Sequence, residues 1–485
     1  MDYVLQENPR IKYLEYNKVT YSIVHVIFNM FVNRKEELEI LKNTLNSDRA
    51  ELFILYGRRR VGKTELLKQM LIDNKNAVYF LGRFESPKDM VLRLSKIVAE
   101  KFDDKRLAKF PFRDFDEAFH YFSGKKGIVI IFDEFPYMVS SEPALPSIMQ
   151  DYWDNQLKNT DIKLFICGSS IGMMERHFFN YSSPLYGRRT KQFKLQPLSF
   201  SGLKDFIPSA GFKELLAIYA VFGGTPAYIL EYENDIFETI RDKMLKKEQF
   251  LHKDAEFILR EELREPRYYF SIIRSIAFGN TTTGRIMNDT GITKDVVGKY
   301  LSTLQDLDII ERQVPITESF KSRKGIYRIK DNYFRFYFRF IFPYIEHIEM
   351  GEIDYVLNVI KTDFQRYSGQ TFEQVMIEHL KENRDLDPIQ FTRIGSWWDK
   401  GTEIDIVAFN EETGDILFGE IKYTTRKVGV KTLLELQEKA KKVKWGTGRR
   451  EHYMIISKSG FDDNIIDKDV TLIDLNMLET VTRNL

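Results

Sequence analysis

The residues best placed to do chemistry stand near the start of the chain, in a short basic segment bounded by two glycines. The segment reads Gly57-Arg58-Arg59-Arg60-Val61-Gly62-Lys63-Thr64. Its glycines let the backbone turn tightly and bring N–H groups close to phosphate oxygens. Lys63 can neutralise the β- and γ-phosphates of a nucleotide, and Thr64 offers a hydroxyl to Mg²⁺. The spacing therefore predicts a loop that binds ATP together with Mg²⁺.

The elements that must position this loop are readable on either side of it. An apolar run at residues 52–56 predicts a buried strand, and Leu66, Leu67 and Met70 follow at helical spacing. A P-loop needs a strand, a glycine loop and a helix in this order. A glycine turn that arises by chance has no need of these flanking elements. The start of the helix would add its partial positive charge to the phosphate site. We therefore favour nucleotide binding over an incidental turn.

Two acidic residues, Asp133 and Glu134, end a second apolar run about 70 residues later. A continuous apolar run predicts a buried parallel strand, and ligands of open α/β sheets lie at the carboxyl ends of such strands. We expect Asp133 to hold the Mg²⁺ shell and Glu134 to polarise the attacking water. An ordinary strand ending in a solvated acidic turn is the alternative, which the preceding P-loop makes less attractive.

Polar residues beyond the next strands are further candidates. Ser169 or Ser170 follows the apolar run at 163–168 and is expected near the γ-phosphate. Arg188 and Arg189 come after it and are candidates for an arginine finger or a phosphate sensor. A solvated surface pair is an equally acceptable interpretation of the two arginines. We expect Cys167 to be simply a small buried side chain.

A second constellation of charged residues lies near the C-terminus. Asp405 interrupts an apolar run, and Glu420 and Lys422 alternate on the next predicted strand, so they share one face. Two carboxylates on adjacent strands repel unless a cation or a proton lies between them. We expect Asp405 and Glu420 to bind one or two Mg²⁺ ions and Glu373 on a preceding helix to complete the shell. Lys422 is expected to steady the attacking water or the phosphate. A solvated hairpin with ordinary charges is the alternative.

The segment between these two groups carries the pattern of a winged helix. Three amphipathic helices and two short strands around a basic turn are predicted at 266–345, and the third helix would present Thr293, Lys294, Lys299 and Tyr300. This fold commonly places that helix in the major groove of DNA. A module that contacts only protein is the open alternative, because the third helix carries few cations.

Several further elements are predicted. Strands are expected at 193–198 and 390–394, and helices at 332–344, 361–383 and 431–444. The aromatic segment 332–344 is expected to pack between domains rather than to stack bases. The last helix is basic, and we expect its lysines to hold a nucleic-acid backbone by charge, with binding that weakens as salt rises. These are Lys439, Lys441, Lys442 and Lys444.

Length and composition limit the class of protein. The chain has 485 residues, enough for roughly three domains. Its net charge of +1 excludes a wholly basic nucleic-acid coat and an acidic disordered protein. Its single cysteine excludes a disulfide framework and fits the cytoplasm, where we expect the protein to reside. No apolar run approaches the roughly 20 residues of a membrane span, so no membrane partner is expected.

Residues 1–29 form an extension, and we expect them to be dispensable, with translation beginning at Met30.

These motifs together resemble a known family. The stretches FVNRKEEL, YGRRRVGKTELL, IVIIFDEFPYM, LFICGSSIGMMER, PLYGRRT, FGGTPAYI, EIDIVA and GEIKY occur in this order from residue 31 onward. The chain resembles the archaeal-type P-loop ATPases of the AAA+/STAND-like group, whose C-terminal domain of unknown function looks like a PD-(D/E)xK nuclease. The resemblance implies ATP binding at 57–64, a Walker B motif at Asp133 and Glu134, and a nuclease-like centre at Asp405, Glu420 and Lys422.

The predicted fold is therefore α/β with several parts. A P-loop NTPase core with a parallel sheet is expected at 30–200 and a helical lid at 201–265. A winged helix with a linking helix follows at 266–345, and a restriction-endonuclease-like α/β domain at 346–485.

Two functions from different classes fit this organisation. The first is an ATP-driven switch coupled to cleavage of nucleic acid. The second is an ATP-gated module that binds DNA or protein and whose nuclease fold is degenerate. The expected partners are ATP, DNA and a second copy of the chain through the ATPase domain.

Overall fold

The computed structural model describes residues 32–72, 74, 76–263, 265–466 and 468–483. The predicted extension 1–29 and the start at Met30 lie outside the described residues. The chain divides into two compact units. The first comprises the described part of Met1–Leu55 with Gly62–Gly168 and Tyr181–Phe193, and the second comprises Tyr56–Val61, Ser169–Asn180 and the described part of Lys194–Leu485.

The first unit is built on a five-stranded sheet with the order β2-β3-β4-β1-β5. Strands β2, β3 and β4 pair in parallel, so the carboxyl ends of these three strands meet at one edge. The apolar runs in the sequence are buried along their whole length, as expected for strands covered on both faces. The strands are β1 (Glu51–Tyr56), β2 (Ala77–Leu81), β3 (Val129–Asp133), β4 (Lys163–Gly168) and β5 (Lys191–Lys194).

Helices surround this sheet, and local chemistry explains where several begin. The hydroxyl of Ser86 accepts a hydrogen bond from the Asp89 N–H, and Pro87 occupies the first helical position, so the third helix begins at Pro87. The helices of this unit are α1 (Lys35–Leu45), α2 (Lys63–Met70), α3 (Pro87–Phe102), α4 (Lys105–Lys109), α5 (Phe115–Ser123), α6 (Phe135–Ser141) and α7 (Leu145–Asn155).

The predicted strand at 193–198 is wrong in its bounds, because pairing begins and ends earlier. The Thr190 N–H already donates to the Leu52 carbonyl at 2.9 Å. Pro197 has no N–H, and the Leu198 N–H donates to the Gly224 carbonyl instead of to a neighbouring strand. The strand β5 is therefore Lys191–Lys194.

The second unit begins with a helical region that matches the predicted lid. Its helices are α8 (Ile171–Phe178), α9 (Leu203–Phe206), α10 (Phe212–Phe222), α11 (Pro226–Ile229), α12 (Ile236–Thr239) and α13 (Asp254–Glu262). The three helices and two antiparallel strands of the predicted winged helix follow. They are α14 (Pro266–Ala277), α15 (Thr283–Thr290), α16 (Lys294–Asp306), β6 (Ile310–Gln313) and β7 (Ile326–Ile329).

The aromatic segment is a packing element, which confirms the sequence interpretation. It starts as helix α17 (Asn332–Phe336). It continues as a π-helical turn at Tyr337–Ile341 and a 3₁₀ turn at Phe342–Tyr344. Its rings are buried in the core of the second unit. The Arg335 guanidinium lies 4.8 Å from the centre of the Tyr367 ring, and Arg339 pairs with Asp363 at 2.7 Å. Neither arginine is therefore available for base stacking.

A second five-stranded sheet closes the chain, with the order β12-β11-β10-β9-β8. Antiparallel β9 and β10 form the predicted hairpin, and β10, β11 and β12 pair in parallel. The strands are β8 (Arg393–Asp399), β9 (Thr402–Asn410), β10 (Asp415–Lys422), β11 (Arg450–Ser457) and β12 (Thr471–Asp474). The helices are α18 (Ile345–Glu349), α19 (Ile353–Glu382), α20 (Val430–Ala440), α21 (Asp463–Ile466) and α22 (Leu475–Arg483).

Three predicted elements of this region have other bounds. The helix expected at 361–383 starts eight residues earlier and is the 30-residue α19. The strand expected at 390–394 is displaced to β8, because Gln390 has a φ of 49°, which is not compatible with a strand. The helix expected at 431–444 ends at Ala440. The Arg449 guanidinium caps this end by donating hydrogen bonds to the Ala440 and Val443 carbonyls.

No helix within the described ranges combines the length and the apolar character needed to cross a bilayer.

Candidate nucleotide site and C-terminal carboxylate centre

Two glycines shape the loop between β1 and α2. Gly57 has a φ of 149°, and a Cβ at this position would lie 2.4 Å from the Leu195 carbonyl oxygen. Gly62 has a φ of 96° and precedes the first residue of α2. Any other residue would strain the backbone at both positions. The loop thus requires glycine where the P-loop spacing predicts it, and Lys63 follows as a buried residue.

The hydroxyl of Thr64 meets Asp133 at the end of β3. Thr64 Oγ1 donates to Asp133 Oδ2 at 2.7 Å, and Asp133 is buried. This contact brings together the two residues predicted to bind Mg²⁺. A hydroxyl and a carboxylate supply hard oxygen ligands, so the donor set fits that ion. In the ATP-bound state, the same oxygens would hold it and help to neutralise the phosphates.

Tyr79 is a member of this cluster that the sequence interpretation missed. Its hydroxyl donates to Asp133 Oδ2 at 2.5 Å, and burial together with this carboxylate raises the pKa of Tyr79. A signal was available, because Leu81 is the register partner of Asp133 and Tyr79 lies two residues earlier on the same face of β2. Without the strand order, however, the neighbour of β3 could not be chosen.

Glu134 takes an unusual backbone conformation directly after Asp133. Its φ is 51° and its ψ is 44°, in the left-handed region that non-glycine residues rarely occupy. Its N–H donates to Asp133 Oδ1 at 2.9 Å, and helix α6 begins at the next residue. Strain of this kind is concentrated at functional sites. The Glu134 side chain is half-buried. Its role as the base that polarises the attacking water stays a prediction.

The serines after β4 have separate surroundings. Ser169 is buried, and Ser170 caps helix α8 and donates to Glu262 Oε2 at 2.9 Å. The predicted place of either serine near the γ-phosphate stays a prediction. Cys167 is fully buried, as expected, and burial raises the pKa of its thiol.

The two arginines at 188 and 189 have partners on the protein. The Arg188 guanidinium donates to both oxygens of Asp154, from Nε to Oδ1 at 3.1 Å and from Nη2 to Oδ2 at 2.7 Å, and also to the Pro184 carbonyl. Arg189 donates from Nε to Gln192. A bidentate pair of this geometry holds the Arg188 side chain in place. Their role as an arginine finger or sensor stays a prediction, and it would require Arg188 to leave Asp154.

The three arginines inside the P-loop each form an ion pair within the second unit. Arg58 pairs with Asp331 at 2.8 Å, Arg59 with Glu261 at 2.9 Å and Arg60 with Asp254 at 2.6 Å. Between Arg60 and Gly62, Val61 is buried. The sequence marked these arginines only as members of the phosphate loop. It did not predict their partners, which are 194 to 273 residues away in the chain.

The C-terminal carboxylates lie across from each other on the hairpin. Gly419 and Ile406 are the last pair of the antiparallel ladder between β10 and β9, and Glu420 and Asp405 are the next residues beyond that pair. Asp405 Oδ2 accepts the Ile421 N–H at 2.8 Å. Burial, followed by the nearby charge of Glu420, raises the pKa of Asp405 to about 6. Like charges opposite each other destabilise a sheet unless a cation compensates them.

Two lysines supply that compensation. Lys422 Nζ donates to Glu420 Oε1 at 2.7 Å. Lys439, which reaches over from helix α20, donates to both oxygens of Glu420 at 2.9 and 2.8 Å. The sequence grouped Lys439 with lysines that hold a nucleic-acid backbone. Instead, it contacts the carboxylate, while Lys441 pairs with Glu438 and Lys442 donates to Thr402.

The predicted shell of three carboxylates is not assembled. Among the residues that the structure describes, no three His, Cys, Asp or Glu side chains form a group that could hold a metal ion. Glu373 lies on α19, where burial and then the charge of Asp405 raise its pKa to about 7, opposed by Arg328 and Arg335. The oxygens of Asp405 and Glu420 alone fit a divalent cation, with Lys439 in contact with the second ligand.

The winged helix uses its wing to contact the C-terminal sheet. The Ile316 N–H donates to the Ser396 carbonyl at 3.0 Å, and the Trp398 indole N–H donates to the Lys324 carbonyl at 3.0 Å. Lys324 also pairs with Asp399 at 2.9 Å. These contacts favour the protein-contact alternative for the wing.

The third helix of the winged helix keeps part of its predicted surface. On α16, Thr293, Lys294 and Lys299 are exposed. Tyr300 is half-buried and packs against the rings of Tyr268 and Tyr269, with centroids 5.6 and 4.8 Å apart, and its predicted presentation to DNA stays a prediction.

Comparisons with known proteins agree with the geometry of the nucleotide site. Residues 31–232 match a family described as an ATPase domain predominantly from Archaea. An uncharacterized protein of Methanocaldococcus jannaschii is 39% identical over 396 residues, which cover 81% of this chain and 88% of that protein. The chain belongs to this archaeal P-loop ATPase family. It is an ATP-binding protein and an ATPase with an α/β core.

Two further comparisons are more limited. An uncharacterized ATP-binding protein of the same organism is 63% identical over 46 residues, covering 10% of this ATPase and 78% of the relative. The solved structure of a Walker-type ATPase of Pyrococcus abyssi is 19% identical and has a TM-score of 0.48, covering 64% of this chain and 99% of that one.

The C-terminal part of the ATPase matches a different description. Residues 337–441 match a family described as archaeal and bacterial proteins of unknown function. That stretch contains Glu373, Asp405, Glu420, Lys422 and Lys439. The description assigns no activity to them, so their chemistry has to be argued from their contacts.

Proposed function

We propose that the protein binds Mg-ATP at residues 57–64 and hydrolyses it slowly, acting as a nucleotide-driven switch. The contact between Thr64 and Asp133 at 2.7 Å carries this proposal, because it joins the two hard oxygen ligands that Mg²⁺ requires. Lys63 would neutralise the β- and γ-phosphates, and the loop N–H groups would bind their oxygens. Glu134 would orient and polarise the attacking water.

The arginine pairs support the switch part of the proposal. Arg58, Arg59 and Arg60 belong to the same loop as Lys63, and each is held by a carboxylate of the second unit. Binding of a nucleotide adds negative charge to that loop. A change in its conformation would therefore be felt at Asp331, Glu261 and Asp254, which lie in the helical region and before α17. We infer that this is how the nucleotide state is passed on.

The Mg²⁺ dependence of ATP affinity tests the nucleotide site. Thr64→Ala removes one ligand and leaves Lys63, so ATP should still bind in EDTA, but the gain on adding Mg²⁺ should fall at least tenfold. Ser140→Ala is the matched control, since that hydroxyl donates only to the Pro136 carbonyl of α6 among the described residues. Isothermal titration of ATP with and without Mg²⁺ measures both. Equal gains for Thr64→Ala and the parent protein would remove Thr64 from the site.

A second proposed activity is metal-dependent cleavage of a phosphodiester at the C-terminal centre. It is favoured by the closeness of half-buried Asp405 and buried Glu420, the residues that follow the last ladder pair on adjacent strands. The two carboxylates would hold a divalent ion, which would supply charge neutralisation at a phosphate. Lys422 lies on the same strand face and could stabilise the charge that develops on the leaving oxygen. An ATP-gated module that binds without cleaving is the alternative.

A cleavage assay separates these two possibilities. Single- and double-stranded DNA and RNA are incubated with the protein, Mg²⁺ or Mn²⁺, and ATP, using the parent protein and Lys422→Ala. We expect cleavage that Lys422→Ala reduces at least 100-fold. The control Lys431→Ala alters an exposed lysine at the start of the same helix that carries Lys439. Absence of cleavage with every substrate would favour the binding module.

Nucleic-acid binding by α16 is part of the same proposal. Its exposed Lys294 and Lys299 would contact phosphates, whereas the wing is engaged by the C-terminal sheet. Replacing both lysines by alanine should weaken duplex binding and reduce the slope of log K against log salt by about two, because two phosphate contacts are lost. An unchanged slope in fluorescence anisotropy would assign α16 to protein contacts.

A further inference from the structure

We propose that Lys439 closes the C-terminal centre against divalent cations and that a nucleic-acid phosphate opens it. The inference rests on the proposed metal centre of Asp405 and Glu420 and adds a condition for its loading. Its starting point is the contact of one ammonium group with both oxygens of Glu420, at 2.9 and 2.8 Å. An ammonium in that position competes directly with a metal ion for the same oxygens.

The charges of the centre are balanced without a metal. Asp405 and Glu420 contribute two carboxylates, while Lys422 and Lys439 contribute two ammonium groups. Glu420 is buried, so its pairing with the lysines is weakly screened by solvent. A divalent ion entering this arrangement would add two positive charges to a neutral cluster. Removal of one lysine from Glu420 leaves the net negative charge that a divalent ion needs.

Lys439 and Lys422 differ in how easily they can leave. Lys422 is carried by β10, two residues from Glu420, and its side chain cannot move far along the strand. Lys439 comes from helix α20 and lines an open groove of about 650 Å³ beside Thr402, Glu435, Glu438 and Lys442. The two lysine side chains are similarly exposed, 28% for Lys439 and 34% for Lys422, so the difference between them lies in the element that carries each. The lysine stem can therefore turn into the groove while the helix stays in place.

A phosphate of a nucleic-acid backbone is a suitable second partner for Lys439. The flexible stem and the compact ammonium group let a lysine exchange one anion for another at little conformational cost. Lys442 lies on the next turn of the same groove and could attract the same backbone. When a phosphate takes Lys439, both oxygens of Glu420 become available, and Asp405 opposite them completes the pair of ligands. Substrate binding and metal binding are then coupled.

Direct metal titration tests the closed state. Nucleotide-free protein is titrated with Mn²⁺ by calorimetry and by electron paramagnetic resonance. We expect Lys439→Met to bind Mn²⁺ at least tenfold more tightly than the parent protein, and Lys439→Arg to remain close to the parent. The control Lys431→Met alters an exposed lysine of helix α20 that pairs with Glu435, and it should leave the affinity unchanged. Asp405→Asn in the Lys439→Met background should abolish the gain.

A second titration tests the opening. A single-stranded oligonucleotide with phosphorothioate linkages should raise the Mn²⁺ affinity of the parent protein and leave that of Lys439→Met unchanged, because coupling between two ligands is reciprocal and needs the residue that they share. If Lys439→Met and the parent protein bind Mn²⁺ equally through Asp405, Lys439 does not close the centre. If neither binds Mn²⁺, and Asp405→Asn changes nothing, the proposed metal centre itself is wrong.

Discussion

Asp133 and Asp405 are both buried or nearly buried carboxylates on strands, yet the groups that satisfy them differ in kind. Asp133 accepts hydrogen bonds from two neutral hydroxyls, those of Thr64 and Tyr79. Asp405 accepts a backbone N–H and lies opposite Glu420, which is held by two ammonium groups. Neutral donors satisfy the oxygens of a carboxylate without cancelling its charge. Ammonium groups satisfy the oxygens and also cancel the negative charge.

We therefore expect the Asp133 centre to accept a cation directly, whereas the lysines already neutralise the centre of Asp405 and Glu420. In the proposed nucleotide site, we expect the negative charge of Asp133 to be available to Mg²⁺, with a hydroxyl turning from the carboxylate to the ion. At Glu420, a cation must first displace a lysine. We therefore expect the N-terminal centre to respond to Mg-ATP without a further partner, and the C-terminal centre to depend on one.

Loss of the P-loop lysine is the largest expected effect. Lys63→Ala removes the cation that faces the β- and γ-phosphates, so ATP affinity should fall at least 100-fold in calorimetry. Lys68→Ala is the matched control, because Lys68 lies on the same helix, is exposed and pairs only with Glu65 among the described residues. Retention of ATP affinity in Lys63→Ala would place the nucleotide elsewhere.

Replacement of Glu134 should affect turnover and spare binding. Glu134→Gln keeps the shape of the side chain but cannot polarise water, so the rate of hydrolysis should fall about 10²- to 10⁴-fold. Single-turnover assays with ATP measure the rate, and calorimetry checks that affinity stays within a factor of three. Equal rates for Glu134→Gln and the parent protein would assign the role to another group.

Substitution of the first P-loop glycine should reduce stability as well as binding. In Gly57→Ala the new Cβ would lie 2.4 Å from the Leu195 carbonyl, and the φ of 149° is unfavourable for alanine. We expect a loss of about 1–3 kcal/mol in the free energy of unfolding, measured with urea. Gly298→Ala is the control, since Gly298 lies inside α16 with no atom within 4 Å of the new Cβ. A helix interior favours alanine by about 1 kcal/mol, so that variant should gain stability.

The smallest expected effect tests whether the two centres are independent. In the Lys439→Met background, where the C-terminal centre is expected to be open, Asp405→Ala should abolish metal binding there and leave steady-state ATP hydrolysis within a factor of two. Both are measured on the same preparation, by calorimetry with Mn²⁺ and by phosphate release. A large change in hydrolysis would show that the C-terminal centre acts back on the ATPase site.

Much of the fold could be predicted because the relevant signals are local. The continuous apolar runs of β1, β3 and β4 and the glycine loop before α2 are short-range patterns, and the structure has them where the sequence indicates. The helices and strands of the winged helix are equally readable from periodicity. Errors concern element ends, as at β5 and α20, where a proline or a distant arginine decides the last hydrogen bond.

The parts of the sites that escaped prediction depend on long-range pairing. Tyr79 could join Asp133 only once β2 was known to be the neighbour of β3. The partners of Arg58, Arg59 and Arg60 come from distant helices, and surface and buried ion pairs look alike in a sequence. The sequence placed Lys439 on a basic helix, but it did not show that this lysine faces Glu420. Glu373 is close enough to Asp405 for the charge of that carboxylate to raise its pKa, but its role as a third ligand stays a prediction.

The most direct test of the central claim is the release of phosphate from ATP by the parent protein and by Asp133→Asn, each with Mg²⁺ and with EDTA. The claim is that the N-terminal carboxylate keeps its charge for a cation, so hydrolysis must depend on both the ion and Asp133. We predict hydrolysis only in the parent protein with Mg²⁺, with a loss of at least 100-fold in the other three samples. Undiminished phosphate release by Asp133→Asn, or by the parent protein in EDTA, would contradict the account.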